Sequence, residues 1–193
     1  VVINEEVYRM TITWTNGDGA GLKVFMKKNG TDSPAQANNT DYTANTVFSS
    51  GSQIGTTGWY YVYSGSDDPA PSITITGLDA VSDYRIKVVE FNGDAATRQY
   101  LLADATNNPV DASTTDIAYV ANWNEFKFAF DDIAVNEIRL TGDVVVSNPI
   151  PGFPNGQGRL VFLRNLTVDG QNHSLTMTNG VVVIGLQANQ PDV

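Results

Sequence analysis

Apolar residues fall in short runs separated by clusters of Gly, Asn, Asp, Ser, Thr and Pro along most of the chain. This is the punctuation of strands joined by turns rather than of helices. Over residues 8–15, Tyr8, Met10, Ile12 and Trp14 alternate with Arg9, Thr11, Thr13 and Thr15, which predicts a strand with one buried and one solvated face. Residues 22–26 follow the turn Asn16-Gly17-Asp18-Gly19, so the two runs predict a hairpin. Residues 29–58 are rich in Thr, Ser, Asn and Gly, and apart from Tyr42, Val47, Phe48 and Ile54 they hold few large apolar side chains. They predict a long surface connection. Further strands are expected at 59–63, at 72–78 through Ile73 and Ile75, at 84–91 through Ile86 and Val88, and within 100–106. Residues 109–115 have the small polar composition of a linker or exit strand, which places a domain boundary near Thr115 and gives domains 1–115 and 116–193.

The second domain opens with the best helix candidate. Asn122 followed three residues later by Glu125 has the form of a capping box, and Trp123, Phe126, Phe130 and Ile133 recur at helical spacing. A helix near 122–133 with one sticky face follows. After it the pattern returns to short strands at 137–140, 144–147, 160–163, 166–168, 174–177 and 181–186. Their short spacing suits stacked β-coils, with Asn165, Asp169-Gly170 and Asn179-Gly180 at the bends and residues 149–158 as an extruded loop.

Composition narrows what such a β scaffold can do. The 193 residues, 41% hydrophobic, hold enough apolar material for one or two cores. The lack of cysteine and the single histidine exclude disulfides, Cys-based zinc sites, thiol catalysis and most histidine relays. Against 21 Asp+Glu stand 11 Lys+Arg, for a formal charge of -10. That balance repels phosphate backbones and anionic lipid surfaces, so nucleic acid is not an expected partner, and because no apolar run approaches the ~20 residues a spanning helix needs, membrane insertion is not expected either. The acidic residues are spread over both halves instead of forming an interaction tail.

The motifs ITWTNGDGAG at 12–21, YTANTVFSSGSQIGTTGWYYVYSG at 42–65 and ITITGLDAVSDYRIKVVEFNG at 73–93 make the first domain resemble a fibronectin type III-like module of large secreted bacterial surface proteins. Leu78 followed by Tyr84 looks like the tyrosine corner of β-sandwiches. The resemblance departs at residues 1–6, which leave little room for a full first strand. Residues 117–193 are similar to the N-terminal cap and first coils of a right-handed parallel β-helix of the pectate-lyase-like adhesin type, through VANWNEFKFAFDD at 120–132, EIRLTGDVVVSN at 137–148 and RNLTVDGQNHSLTM at 164–177. The two resemblances imply an all-β chain: a fibronectin type III-like sandwich, then a short right-handed β-helix segment whose helix plugs its open N-terminal end.

Catalytic equipment is sparse. Asp169, His173 and Ser174 are neighbours in sequence, but groups on one short turn seldom converge on a reacting atom. Lyases of this fold need a base opposite metal-binding acids, and no acidic cluster accompanies Arg139, Arg159 and Arg164. No enzyme activity and no cofactor are expected. Asp67-Asp68, Asp131-Asp132 and the Asn16–Asp18 turn offer oxygen ligands suited to calcium, although none follows the ordered pattern of an EF-hand loop. Trp59, Tyr61 and Phe153 are candidate sugar-stacking rings. Val1, Val2 and Ile3, and Val181, Val182, Val183, Ile184 and Leu186, form apolar runs that would be unpaired edges in isolation. They are covered either by further parts of a longer chain or by neighbouring copies in a fibre. The sequence thus points to a non-catalytic structural or adhesive module of an extracellular bacterial surface protein or fibre. Its expected partners are neighbouring domains, further copies of itself, or surface glycans. The alternative is a carbohydrate-binding module of a secreted polysaccharide-degrading protein.

Overall fold

The computed structural model describes residues 1–65, 71–146, 161–162, 164–177 and 185–186. It is almost entirely β, with one α-helix, and it divides into two compact units, Val1–Thr115 and Asp116–Val193.

The first unit contains β1 (Val2–Glu5), β2 (Arg9–Thr13), β3 (Gly21–Lys28), β4 (Tyr60–Gly65), β5 (Ser72–Thr76), β6 (Asp83–Asn92), β7 (Gln99–Tyr100) and β8 (Val110–Ser113). They make two antiparallel sheets, β1-β2-β5 and β4-β3-β6-β7, with β8 pairing the start of β6. Alternation aims Met10 and Ile12 of β2 and Ile75 of β5 at Leu22, Val24 and Met26 of β3 and at Tyr84 and Ile86 of β6, and these residues share one buried core. The expected hairpin of β2 with β3 does not form. Each strand has an apolar face to bury, and β2 pairs β1 and β5 while β3 pairs β4 and β6, so the two meet across the core. Residues 1–6 do supply a first strand, since Val2 to Glu5 pair with Thr13 to Met10. Of the two readings of residues 109–115, the exit strand is the one that forms, since Val110 to Ser113 pair with Ile86 to Asp83. The Tyr84 hydroxyl accepts a hydrogen bond from the Asp79 N–H at 2.8 Å, which pins the turn before β6.

Residues 29–58 also differ from the surface connection expected of them. They cover the outer face of the larger sheet, where Phe25, Trp59, Tyr61, Val89 and Tyr100 form a second buried cluster with Ile54 and half-cover Tyr42. The sheet is therefore buried on both sides, and β3 reads as an almost unbroken buried run. The same segment closes two strand edges. Asn45 N–H donates to Tyr61 O at 3.2 Å and Tyr61 N–H to Ser52 O at 2.9 Å along β4, while Thr76 N–H donates to Thr46 O and Phe48 N–H to Thr76 O, both at 2.9 Å, along β5. Gly51 permits this approach, because a Cβ there would overlap the Tyr61 carbonyl oxygen.

The second unit contains β9 (Ile117–Val120), α1 (Trp123–Asp131), β10 (Glu137–Leu140), β11 (Val144–Val146), β12 (Val161–Phe162), β13 (Thr167–Asp169), β14 (Leu175–Met177) and β15 (Gly185–Leu186). Every strand pair is parallel: β9-β10-β13 on one wall, β11-β14 on a second and β12-β15 on a third. The chain passes through the three walls in turn and returns to the first, which is the arrangement of stacked β-coils. The Asn122 side chain caps α1 by accepting from Glu125 N–H at 3.1 Å, and the Glu125 carboxylate reaches back to Ala121 N–H at 2.7 Å. Trp123, Phe126 and Phe130 stack along one side, with centroids 5.8 and 6.1 Å apart. Ile133 falls off that face and is 85% exposed, because α1 ends at Asp131.

Candidate assembly edge and neighbouring sites

The coil stack has two unlike ends. At the β9 end α1 packs against β9, β10 and β11, with Phe126 and Ala129 buried. Arg164 fastens the far end of this helix, donating to Phe130 O at 3.2 Å, to Asp132 O at 2.7 Å and to Val135 O. At the other end β13 and β14 each pair on one side only among the described residues. Their interior residues show the consequence. Ile138 and Val144 are fully buried, whereas Val168 and Leu175, in register outside them, are 37% and 38% exposed.

The outward positions of the first wall form a polar column. Arg139 lies in register between Tyr119 and Asp169. Its guanidinium donates to Glu137 Oε1 at 2.6 Å and to the Tyr119 hydroxyl at 3.4 Å, and it sits 5.9 Å from the Tyr119 ring centroid. The Asp169 carboxylate accepts from the Gln171 N–H at 3.0 Å and from the Gln171 side-chain amide, and these hydrogen bonds hold its pKa below the usual carboxylate value.

At the next corner the structure assembles Asp143, His173 and Ser174, of which sequence spacing suggested only the last two. Asp143 Oδ1 accepts from Ser174 N–H at 2.8 Å and from Ser174 Oγ at 3.1 Å, and lies 3.8 Å from His173 Nδ1. Asp143 therefore holds the serine directly and ties two successive coils together. In a nucleophilic triad the histidine stands between acid and serine, so this is a different arrangement. Asp169 bonds Gln171 rather than His173.

In the first unit Trp59 and Tyr61 are both fully buried. Trp59 donates its indole N–H to Asp32 Oδ2 at 3.0 Å, and Tyr61 stacks on Phe25 at 5.3 Å. Neither ring has a face to offer a sugar, which corrects their reading as a stacking platform. The alternation of this strand was legible; the cover supplied by residues 29–58 was not. Phe153 lies outside the described residues, as do Arg159, Asp67 and Asp68 and the edge candidates Val181, Val182, Val183 and Ile184. Leu186 belongs to β15, paired with β12. Val1 and Ile3 pack against the sandwich core, while Val2 points outward from β1, the outer strand of its sheet.

Two lysines are buried beneath the cover. Lys23 lies 3.0 Å from Asp41 and 4.3 Å from the Tyr61 ring centroid, and burial pushes its pKa down. Lys87 pairs with Asp104 at 2.5 Å and donates to Leu102 O at 2.8 Å. Every described lysine and arginine except Arg164 lies within ion-pair distance of an aspartate or glutamate. Among the described residues no group of three His, Cys, Asp or Glu side chains is close enough to hold a metal ion, and no helix is long and apolar enough to cross a membrane. Asp131 pairs with Lys127.

No curated protein matches the chain. Residues 117–191, which begin at the first residue of β9 and take in α1 and all the later strands, match the model of a family described as "Putative pectate lyase-like adhesive domain".

Proposed function

We propose that the chain is a non-catalytic structural and adhesive module of an extracellular bacterial surface protein or fibre, joined to its neighbours by strand pairing at the open edge of its coils. The observation that carries this reading is the adhesive-domain match over 117–191, on a stack packed by a helix at one end and, among the described residues, with β13 and β14 each paired on one side only at the other. The first unit acts as a spacer. Its three-stranded and larger antiparallel sheets, with the Tyr84 hydroxyl tied to the backbone of the preceding turn at Asp79, support its likeness to a fibronectin type III-like module, and the two compact units support a division of the chain into domains 1–115 and 116–193.

The test is retention of beads coated with the purified chain on polysaccharide-coated and protein-coated surfaces under flow, run beside incubation of the chain with polygalacturonate. Retention without release of unsaturated oligosaccharides is the expected result. Beads that wash off every surface refute the adhesive role, and unsaturated products refute the non-catalytic one.

A further inference from the structure

In the first unit an open groove of about 510 Å³ runs along the paired ends of β6 and β8, beside the turn that follows β3. Its volume lies within the range of small-molecule sites, about 300–1,000 Å³. The strand side of the groove is fixed by register, with Asp83 opposite Ser113 and Arg85 opposite Asp111. The Ser113 hydroxyl donates to Asp83 Oδ1 at 2.6 Å, and Arg85 Nη1 donates to both Asp111 oxygens at 2.7 Å. On the turn side Asn29, with φ at 50°, leads the chain out of β3, and its N–H donates to Asp83 O at 3.0 Å. Arg85 ties the two sides together, since its Nε donates to Asp32 O at 2.9 Å. Asp83, Asp111 and Ser113 therefore line the groove already oriented by their neighbours, together with Asn29 and Thr31, whose side chains make no hydrogen bond to other described residues.

Charge and hydrogen-bonding pattern select what such a groove can hold. Among the described residues no lysine or arginine pairs with Asp83, so an anion is repelled. A cation finds only that one uncompensated carboxylate, because Arg85 neutralises Asp111. The carboxylates accept, while the Asn29 amide and the Thr31 hydroxyl both donate and accept, which is the mixture that neighbouring sugar hydroxyls satisfy. Groups held in place before the ligand arrives also lose little freedom on binding it. We propose that this groove binds a neutral oligosaccharide, with Asp83 and Asp111 accepting from its hydroxyls and Asn29 and Thr31 donating to its oxygens. The first unit, a spacer in the reading above, thereby carries a recognition site of its own that does not depend on the coil stack.

The test uses the biotinylated full chain, multimerised on fluorescent streptavidin so that weak single contacts are detected, on an array of neutral and uronic-acid oligosaccharides. Signal on neutral members and none on uronic-acid members is the expected result. Asp83→Asn and Thr31→Val, each with its fold checked by thermal unfolding, are expected to lower the neutral signal at least about tenfold. A silent array, signal confined to uronic-acid members, or neutral binding that both variants retain in full overturns the assignment. Bead retention on protein-coated surfaces beside a silent array overturns the groove alone and leaves the adhesive reading standing.

Discussion

Replacing Asp41 by asparagine should destabilise the sandwich more than removing the lysine it serves. Asp41 holds Lys23 at 3.0 Å and the Arg98 guanidinium beside it, yet it is 60% exposed while the Lys23 side chain is 2% exposed. Asp41→Asn leaves a desolvated ammonium on the Tyr61 and Phe91 rings. Breaking a fully buried ion pair costs about 3–5 kcal/mol. Solvent screening of the exposed partner lowers the expectation here to about 2 kcal/mol. Lys23→Met keeps the aliphatic stem and removes the buried charge, so its cost should stay below about 1 kcal/mol. The pH dependence has a definite sign. The Lys23 hydrogen bond holds the Asp41 pKa below its ordinary 3.8, so this stabilisation is complete above that value and is lost as pH falls through the lowered one. Burial lowers the Lys23 pKa from 10.5, so stability rises with pH in the window below 10.5, where the unfolded chain holds the proton and the folded one releases it. Asp41→Asn removes the hydrogen bond that opposes this lowering and should steepen the alkaline rise. Urea unfolding followed by Trp59 fluorescence, with Trp14 and Trp123 replaced by phenylalanine, provides the measurement. An Asp41→Asn chain as stable as the parent, or a Lys23→Met chain less stable than Asp41→Asn, refutes the reasoning.

Tyr84→Phe removes the acceptor for Asp79 N–H without changing the packed ring, and should cost about 1 kcal/mol, seen as a fall in Tm of several degrees in calorimetry. Gly51→Ala forces residues 43–52 away from the Tyr61 carbonyl and should speed hydrogen exchange at the Tyr61 and Asn45 amides while leaving the β2 amides protected. Arg164→Met strips the charged donor from three carbonyls at the end of α1, for an expected loss of about 2–3 kcal/mol, and the Trp123 emission should shift red at lower urea than in the parent.

Where one alternating face meets one core, the sequence was a good guide. The runs around Met10, Ile75 and Ile86 became strands of the sandwich, and Asn122 with Glu125 marked the start of α1. Local pattern failed where burial came from distant chain. Lys23 and Lys87 look like solvated positions, and only the placement of Asp41 and Asp104 over them makes them interior residues. Residues 29–58 look like a loop because much of their cohesion is made through backbone hydrogen bonds and small polar side chains, which carry no apolar period. The coil segments were legible as strands but not in their register. Asp169 has meaning only through its register with Arg139, a relation that parallel pairing across a long connection does not announce in sequence.

The internal use of basic side chains has a consequence for molecules crowded on one surface. With the described lysines and arginines already committed to carboxylates or carbonyls, the charge turned outward is mostly negative. Like molecules then repel across a gap set by the Debye length, about 8 Å at physiological ionic strength and about 30 Å at 0.01 M. A coat of such modules should swell in fresh water and compact in brine, so that ionic strength controls the spacing between neighbours while the fold of each stays the same.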